Sequence, residues 1–554
     1  MAVNSNAIHP VGNVPLGASE LVAALAVFLC VGLLMFITAP TAGDFSWSDA
    51  PRHAMNGIFI GDFLRAMPLN DPKGWAVDYY LQYPALTILF YPPLFSLVLA
   101  GNYSLFGFSH DVAQATVSFF HFLLGFGVFV LSRRWMSFGY AVAAALMLAA
   151  APEISYWGRQ VMLDIPAYAW LAFMAVFFVR YLDRQNPWDW YLTLFFYLLA
   201  LYTKQTPVFV AGALFVALLS ARGVGLFRDR HIWLGAILFA VAMIPLLVIH
   251  VNFGQINTAS VMGSERADAS RLSLKAWSYY IAILPSQLGW PTVIAAVVYL
   301  VGAIVWPQWR IPKTHMVFLG GWFLFGYLMF SFIMVRQPRH DLMALLPFPV
   351  FAALGFWRLS GFARNAPALA GSAVAIGVGL GSLGWSVFAH PVLYVKGYGE
   401  AAEFVMKRAP ENGAVLFHGY RDGNFTFHMR AGDRPDLSVA RSDKMLLRMA
   451  IERARGVVDR GFSKEQIEEM IQRYGIRYVV AQTGFWSDLA SFGALASLLA
   501  DESRFRAVDT INTQSNFNAE DKEIVIYQYL GDVRSPPERM SVEMVGIGQT
   551  FEQK

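Results

Sequence analysis

The chain has 554 residues, with 42 Lys or Arg and 38 Asp or Glu, so 14% are charged, against about 25% in ordinary soluble domains. Residues 1–390 carry 36 of these charges, about 9%, and residues 391–554 carry 44, about 27%. A membrane composition followed by a soluble one excludes a purely soluble enzyme, a disordered chain and a disulfide scaffold, and sets a boundary near residue 390. The net charge of +4 is small for this length, so no nucleic-acid partner is expected. The single cysteine, Cys30, allows no intrachain disulfide.

The first 19 residues hold no Lys or Arg, so the basic start of a signal peptide is missing. The run Leu21–Ala39 matches the roughly 20 residues that cross a bilayer and reads as an uncleaved first transmembrane helix. Further apolar runs follow at 112–131, 138–152, 162–181, 190–203, 207–221, 232–251, 281–305, 315–335, 342–357 and 367–388, which predicts eleven spans. The run Ala85–Phe106 is a weaker twelfth. Pro92, Pro93, Gly101 and Asn102 interrupt it, and the alternative is a re-entrant or interfacial segment.

Loop charges orient the chain. With eleven spans and the N-terminus inside, the inside turns hold Arg133, Arg134, Arg180, Arg184, Arg222, Arg228, Arg230, Arg310, Lys313, Arg358 and Arg364. That obeys the positive-inside rule. The outside then receives 41–111, 152–161, 203–206, 252–280, 336–341 and the whole tail from 389. The expected fold is a polytopic α-helical membrane domain over 1–390, with a long first outer loop 41–111, and a small α/β extracytoplasmic domain over 391–554.

In the tail, 397–408 reads as an amphipathic helix and Ala414–His418 as a strand. Ser463 with Gln466 three residues later has the form of a helix start. Ile476–Gln482 reads as a strand, 489–501 as a helix and Glu523–Leu530 as a strand. The tail has no Gly-rich phosphate loop, no metal-spaced His/Cys set and no nucleophile elbow, so packing or acceptor docking is its plainest role.

Ionisable residues at membrane depth are expensive and mark function. Asp49, Arg52 and His53 recur at i, i+3 and i+4 in the first outer loop, which puts them on one face of a helix. A carboxylate beside a fixed cation suits a general base next to an anion-binding group; an ordinary solvated ion pair is the plainer alternative. Arg159 and Asp164 flank the start of the fourth span, Lys204 sits in the turn TKQTP, and Arg336, Arg339, His340 and Asp341 crowd the six-residue loop RQPRHD. Each alone fits a snorkelling helix end. Together they place Arg159, Lys204, Arg336 and Arg339 on the side that should be poor in cations, where a phosphate would suit them. The polar loop 252–280, with Gly263, Ser264, Glu265, Arg266, Asp268 and Arg271, reads as a lid or as a plain connection.

Four features over about residues 20–390 resemble the GT-C superfamily of polytopic glycosyltransferases. The likeness is to the branch with the dolichyl-phosphate-mannose-protein mannosyltransferases and the lipid A aminoarabinose transferases. They are SDAPRHA with Asp49 and Arg52, YPPLF at Pro92–Phe95, RQVMLD with Arg159 and Asp164, and RHDLMALLPF from Arg339. The family's first-loop motif is usually Asp-Glu, and here Asp49 is followed by Ala50.

The resemblance implies an inner-membrane enzyme that moves one sugar, with inversion, from a polyprenyl-phosphate donor to an acceptor in the cell envelope, on the periplasmic side. Asp49 matches the catalytic Asp. Arg52, Arg159, Lys204, Arg336, Arg339 and His340 are the candidates around the phosphate, and Asp44, His53, Asp78 and Asp164 are secondary. No cofactor is indicated; the resemblance leaves a divalent metal open. The alternatives are a transporter or flippase of a lipid-linked sugar and a non-catalytic envelope assembly protein.

Overall fold

The computed structural model describes residues 17–41, 43–262, 270–361, 368–449, 453, 456–517, 523–535, 537–538, 540–544 and 549–552. The chain divides into two compact units. The first is Met1–Ala39, Tyr91–Phe95 and Ala115–Val392; the second is Pro40–Phe90, Ser96–Gln114 and Leu393–Lys554. Apart from Tyr91–Phe95, the expected outer loop 41–111 therefore lies in the same unit as the tail.

The first unit makes the chain a multi-pass membrane protein. Among the described residues, eight helices are long and apolar enough to cross a bilayer: Ala18–Ile37, His110–Ser132, Asp164–Arg184, Thr206–Arg228, Arg230–Gly254, Lys313–Phe332, Leu342–Ser360 and Leu369–Ala389. Their outward side chains are those lipid accepts and water does not. In Arg230–Gly254, Ile237, Leu238, Val241, Ile244 and Val248 are all exposed.

Two further expected spans are each a pair of helices bent at a break. Phe138–Ala149 and Pro152–Gly158 meet at 66°, and Leu274–Leu288 and Trp290–Val305 at 117°. Pro152 breaks the first, because its ring cannot continue the helix before it. At the second, Gly289 takes φ +83°, a conformation that side chains rarely adopt, and Pro291 follows. The remaining expected run is the helix Pro187–Thr203, which at 17 residues is shorter than any of the eight.

The helix Leu94–Phe106 has 13 residues, about 20 Å at 1.5 Å per residue, which is too short to cross alone; the segment 85–106 is therefore not a span. The expected outer loop 252–280 is corrected too, since the helix Arg230–Met262 runs well into it. Gly263, Ser264, Glu265, Arg266 and Asp268 of that loop, and Arg364 of the last inside turn, lie outside the described residues.

Small residues let these helices approach closely. Phe138–Ala149 is buried from Tyr140 onward, and a Cβ added at Gly379 would lie 2.7 Å from Leu146 Cβ. The break after Ala149 frees carbonyls, and side chains take them up. His121 Nε2 lies 2.8 Å from the Ala149 carbonyl, and Ser386 Oγ donates to the Ala150 carbonyl at 2.8 Å.

The second unit is built on a mixed five-stranded sheet: β1 Ala414–His418, β2 Ser438–Arg441, β3 Ile476–Gln482, β4 Phe505–Asn512 and β5 Glu523–Tyr529, in the order β2-β1-β3-β5-β4. The first three are parallel and the last two join antiparallel. All five residues of β1 are buried, as expected of a strand covered on both faces. Val415, Phe417 and Val480 pack under Tyr398–Met406 and Asp422–Ala431; Leu416 and Val479 pack under Lys464–Arg473 and Ala490–Leu499. Ser463 and Gln466 form the reciprocal cap read from the sequence. The expected outer loop 41–111 adds the helices Ala50–Ala66 and Pro72–Gln82. Asp71 starts the second of these by accepting from Gly74 N at 2.8 Å.

Candidate functional site

In the second unit, Asp49 occupies the N-cap position of Ala50–Ala66, half-buried, and its side chain does not cap the helix. Helix geometry puts Arg52 and His53 one turn on. His53 is buried at 2% exposure. Arg52 is engaged locally: Nη2 donates to both carboxylate oxygens of Asp422 at 3.1 Å, and Nη1 donates to the Ser48 carbonyl at 2.5 Å. Asp44 is buried as well. His428 Nε2 lies 2.8 Å from its Oδ1, and Tyr398 N donates to its Oδ2 at 3.0 Å. Asp78 is half-buried on Pro72–Gln82.

A second carboxylate the sequence did not single out, Asp62, collects Tyr79 Oη at 2.7 Å and Arg430 Nη2 at 2.5 Å. Burial, with Asp62 adding to it, raises the Tyr79 phenol far above its ordinary value. Tyr80 is pushed up to about 12, mainly by burial.

In the first unit, four of the expected residues form one cluster. Asp164 opens the helix Asp164–Arg184 and Lys204 caps the end of Pro187–Thr203; the two form an ion pair with Asp164 at 1% side-chain exposure. Arg339 and His340 lie close enough to act on the Asp164 charge. Asp164 thus pairs with Lys204 and not with Arg159, five residues before it. Burial, helped by Arg339 and Lys204, pushes the His340 imidazole down to about 3, so it is neutral.

The Arg339 guanidinium lies 5.3 Å from the Trp157 ring centroid, and its Nε donates to Gln337 Oε1 at 2.9 Å. Gln287 braces the same loop, donating to the Pro338 carbonyl and to Asp341 Oδ1, each at 2.7 Å. Asp341 is buried, and that burial holds its carboxyl well above the usual range. Gln287 went unnoticed in the sequence, although a lone amide in the apolar run ILPSQLGW is a signal of a buried polar contact.

Two expected phosphate residues have structural work. Arg159, 2% exposed, donates to the carbonyls of Ser155 at 3.2 Å, Ser386 at 2.7 Å and His390 at 3.3 Å. Arg336 donates to the carbonyls of Ser331 at 3.3 Å and Met334 at 3.4 Å.

Beginning four residues after Lys204, an apolar groove of about 520 Å³ is lined by Val208, Phe209, Trp277, Phe325, Met329 and Phe332 among others. Among the described residues, no three His, Cys, Asp or Glu side chains are grouped to hold a metal ion.

A polytopic helical unit with broken spans together with an α/β unit is an architecture with solved counterparts. Residues 91–249 match the family model for dolichyl-phosphate-mannose-protein mannosyltransferase. The fold is shared with ArnT from Cupriavidus metallidurans, solved bound to undecaprenyl phosphate, at TM-score 0.61 and 15% identity over 94% of this chain and 100% of that one. It is also shared with the oligosaccharyltransferase AglB from Archaeoglobus fulgidus, in complex with an inhibitory peptide and a dolichol-phosphate, at TM-score 0.51 and 12% identity over 91% and 75%. No curated protein matches the chain by sequence. The resemblance to the protein mannosyltransferase and aminoarabinose transferase branch, read from the four motifs, is borne out.

Proposed function

We propose that this chain is a glycosyltransferase that moves a single sugar from a polyprenyl-phosphate donor to an acceptor in the cell envelope, at the extracytoplasmic face of the inner membrane. The observation that carries it is the cluster of Lys204, Arg339, His340 and Asp164, next in the chain to an apolar groove. Cations answer a phosphate and the groove answers an isoprenoid tail. The undecaprenyl phosphate in ArnT and the dolichol-phosphate in AglB support this donor class.

In this reading the acceptor hydroxyl attacks the anomeric carbon, and Asp49 takes its proton. The bond from that carbon to the phosphate oxygen breaks, and its electron pair leaves on the polyprenyl phosphate, with inversion. Lys204 and Arg339 hold the leaving phosphate as its charge grows. Neutral His340 donates a hydrogen bond.

The two broken spans favour a second reading, a transporter of the same lipid-linked sugar, since interrupted helices are frequent in transporters. One experiment separates the two. The full chain in liposomes is given undecaprenyl-phosphate mannose, glucose, galactose and aminoarabinose with an envelope extract as acceptor source. Released undecaprenyl phosphate is then measured. Transfer predicts release, and a loss of about 10²–10⁴-fold in Asp49→Asn. Equal turnover by that variant removes Asp49 as the base; lipid crossing the bilayer with no release supports transport.

A further inference from the structure

Within the second unit, the peptide leading into Asp49 is held one residue after another by a short stretch of the C-terminal chain. His428 takes Asp44, as described. Phe45 N donates to Asn424 Oδ1 at 2.7 Å, and Asn424 Nδ2 donates back to the Phe45 carbonyl at 2.9 Å. Arg421 Nη1 donates to the Ser46 carbonyl at 2.6 Å. Asp422 fixes Arg52, which in turn holds the Ser48 carbonyl. Four of the five residues 44–48 are thus anchored from 421–428, directly or through Arg52.

Two features show that this contact is built at some cost. Arg421 adopts φ +57°, a left-handed conformation that a long side chain rarely takes, and it is this residue that reaches Ser46. Gly423 lies against Pro51: a Cβ there would be 2.7 Å from Pro51 Cγ, so a larger residue would push apart Ala50–Ala66 and Asp422–Ala431. Arg441, buried, then ties Asp422 to the sheet, with Nη1 2.5 Å from Asp422 Oδ2 and Nη2 2.6 Å from Asp443 Oδ2. Its two carboxylate partners keep it charged despite burial.

We propose that the segment Arg421–His428 is the positioning element for Asp49. It fixes the backbone of 44–48 and so sets where the Asp49 carboxylate stands. This rests on the reading of Asp49 as general base. The physical need is plain: a base acts only within hydrogen-bond reach, and a displacement of about 1 Å costs on the order of 10²-fold in rate. Left alone, the peptide before a helix has free dihedrals and holds no such position. The soluble domain is then part of the catalytic machinery, and Arg52 serves as a brace rather than a phosphate ligand.

The test uses the full chain in liposomes, with the same undecaprenyl-phosphate sugars. Arg421→Gly removes the bond to Ser46 and the stacking of Arg421 on Phe517, 4.5 Å to the ring centroid, while relief of the left-handed strain offsets part of that loss. Asp422→Asn releases Arg52, and Asp422→Glu is the conservative control. The first two should lower kcat about 10–100-fold with donor KM unchanged, and Asp422→Glu should recover part of the loss. In an Asp49→Asn background, Arg421→Gly should cost nothing further, because it acts only through Asp49. Amide hydrogen exchange of 44–49 should rise at least tenfold in Arg421→Gly while the sheet is unaltered; this readout needs no turnover. Wild-type kcat or exchange in Arg421→Gly, or a loss that multiplies with that of Asp49→Asn, would overturn the proposal. Full turnover by Asp49→Asn alone would instead overturn the base assignment.

Discussion

Lys204 donates to the buried carboxylate of Asp164 across 40 residues of chain, joining the C-terminal end of one helix to the N-terminal end of its neighbour. Removing one partner strands the other charge. Asp164→Leu should therefore cost about 3–5 kcal/mol, whereas Lys204→Met with Asp164→Leu should regain most of it. Thermal unfolding in detergent reads both. The double variant should nevertheless lose retention of undecaprenyl phosphate, because Lys204 is gone; undiminished binding would rule Lys204 out as a phosphate ligand.

Gln287 is expected to act on the donor at one remove. Gln287→Leu deletes the bonds to Pro338 and Asp341 that hold the loop carrying Arg339. Donor KM should rise about tenfold, which corresponds to about 1.4 kcal/mol, with kcat nearly unchanged. A kcat effect with constant KM would place the loop in the chemical step instead.

Stability of the α/β unit should depend on pH through His418. Its Nδ1 lies 2.9 Å from Ser442 Oγ, among the edges of the Phe485 and Phe492 rings, and burial pushes the imidazole down to about 4. The unfolded group titrates near 6.5. Between these values the unfolded state binds the extra proton, so stability is full above about 6.5 and is lost as pH falls toward 4, by roughly 3 kcal/mol at most. Exchange protection of the sheet, corrected for intrinsic rates, should show this slope. His418→Leu should flatten it, and an unchanged slope would point to another group.

Packing in the membrane unit yields a sharper substitution. At Gly355 a Cβ would lie 2.5 Å from the Ala295 carbonyl oxygen, a backbone atom that cannot swing away. Gly355→Ala should cost about 1–3 kcal/mol and lower the yield of folded protein. Gly381, with no atom within 4 Å of an added Cβ, should tolerate the same change.

Much of the fold was legible in the residues, for reasons particular residues make plain. Long apolar runs such as Asp164–Arg184 have one structural outcome, and the cap of Ser463 with Gln466 is a local signal read locally. Pro152 and Gly289 stood in the sequence too, but whether such residues kink a span or end it depends on partners far away, here His121 and Ser386 at the first break. The site divides the same way. The motif residues Asp164, Lys204, Arg339 and His340 were visible as scarce charges, and the structure gathers them. That Arg159 spends its donors on the carbonyls of Ser386 and His390, or that Arg52 belongs to Asp422, is a matter of contacts more than 200 residues apart. No periodicity encodes those.

The bond between Phe45 and Asn424 spans 379 residues. Protein synthesis at about 5–20 residues per second therefore separates the two partners by roughly 20–80 s. For all that time the stretch before Asp49 has been made and its support has not. Contacts this far apart along the chain are slow to form and are paid for in loop closure before they give anything back. The ordering of the 44–48 peptide is thus a late event of biogenesis, and if Arg421–His428 positions Asp49 as proposed, activity has to wait until that segment has closed on one made long before it.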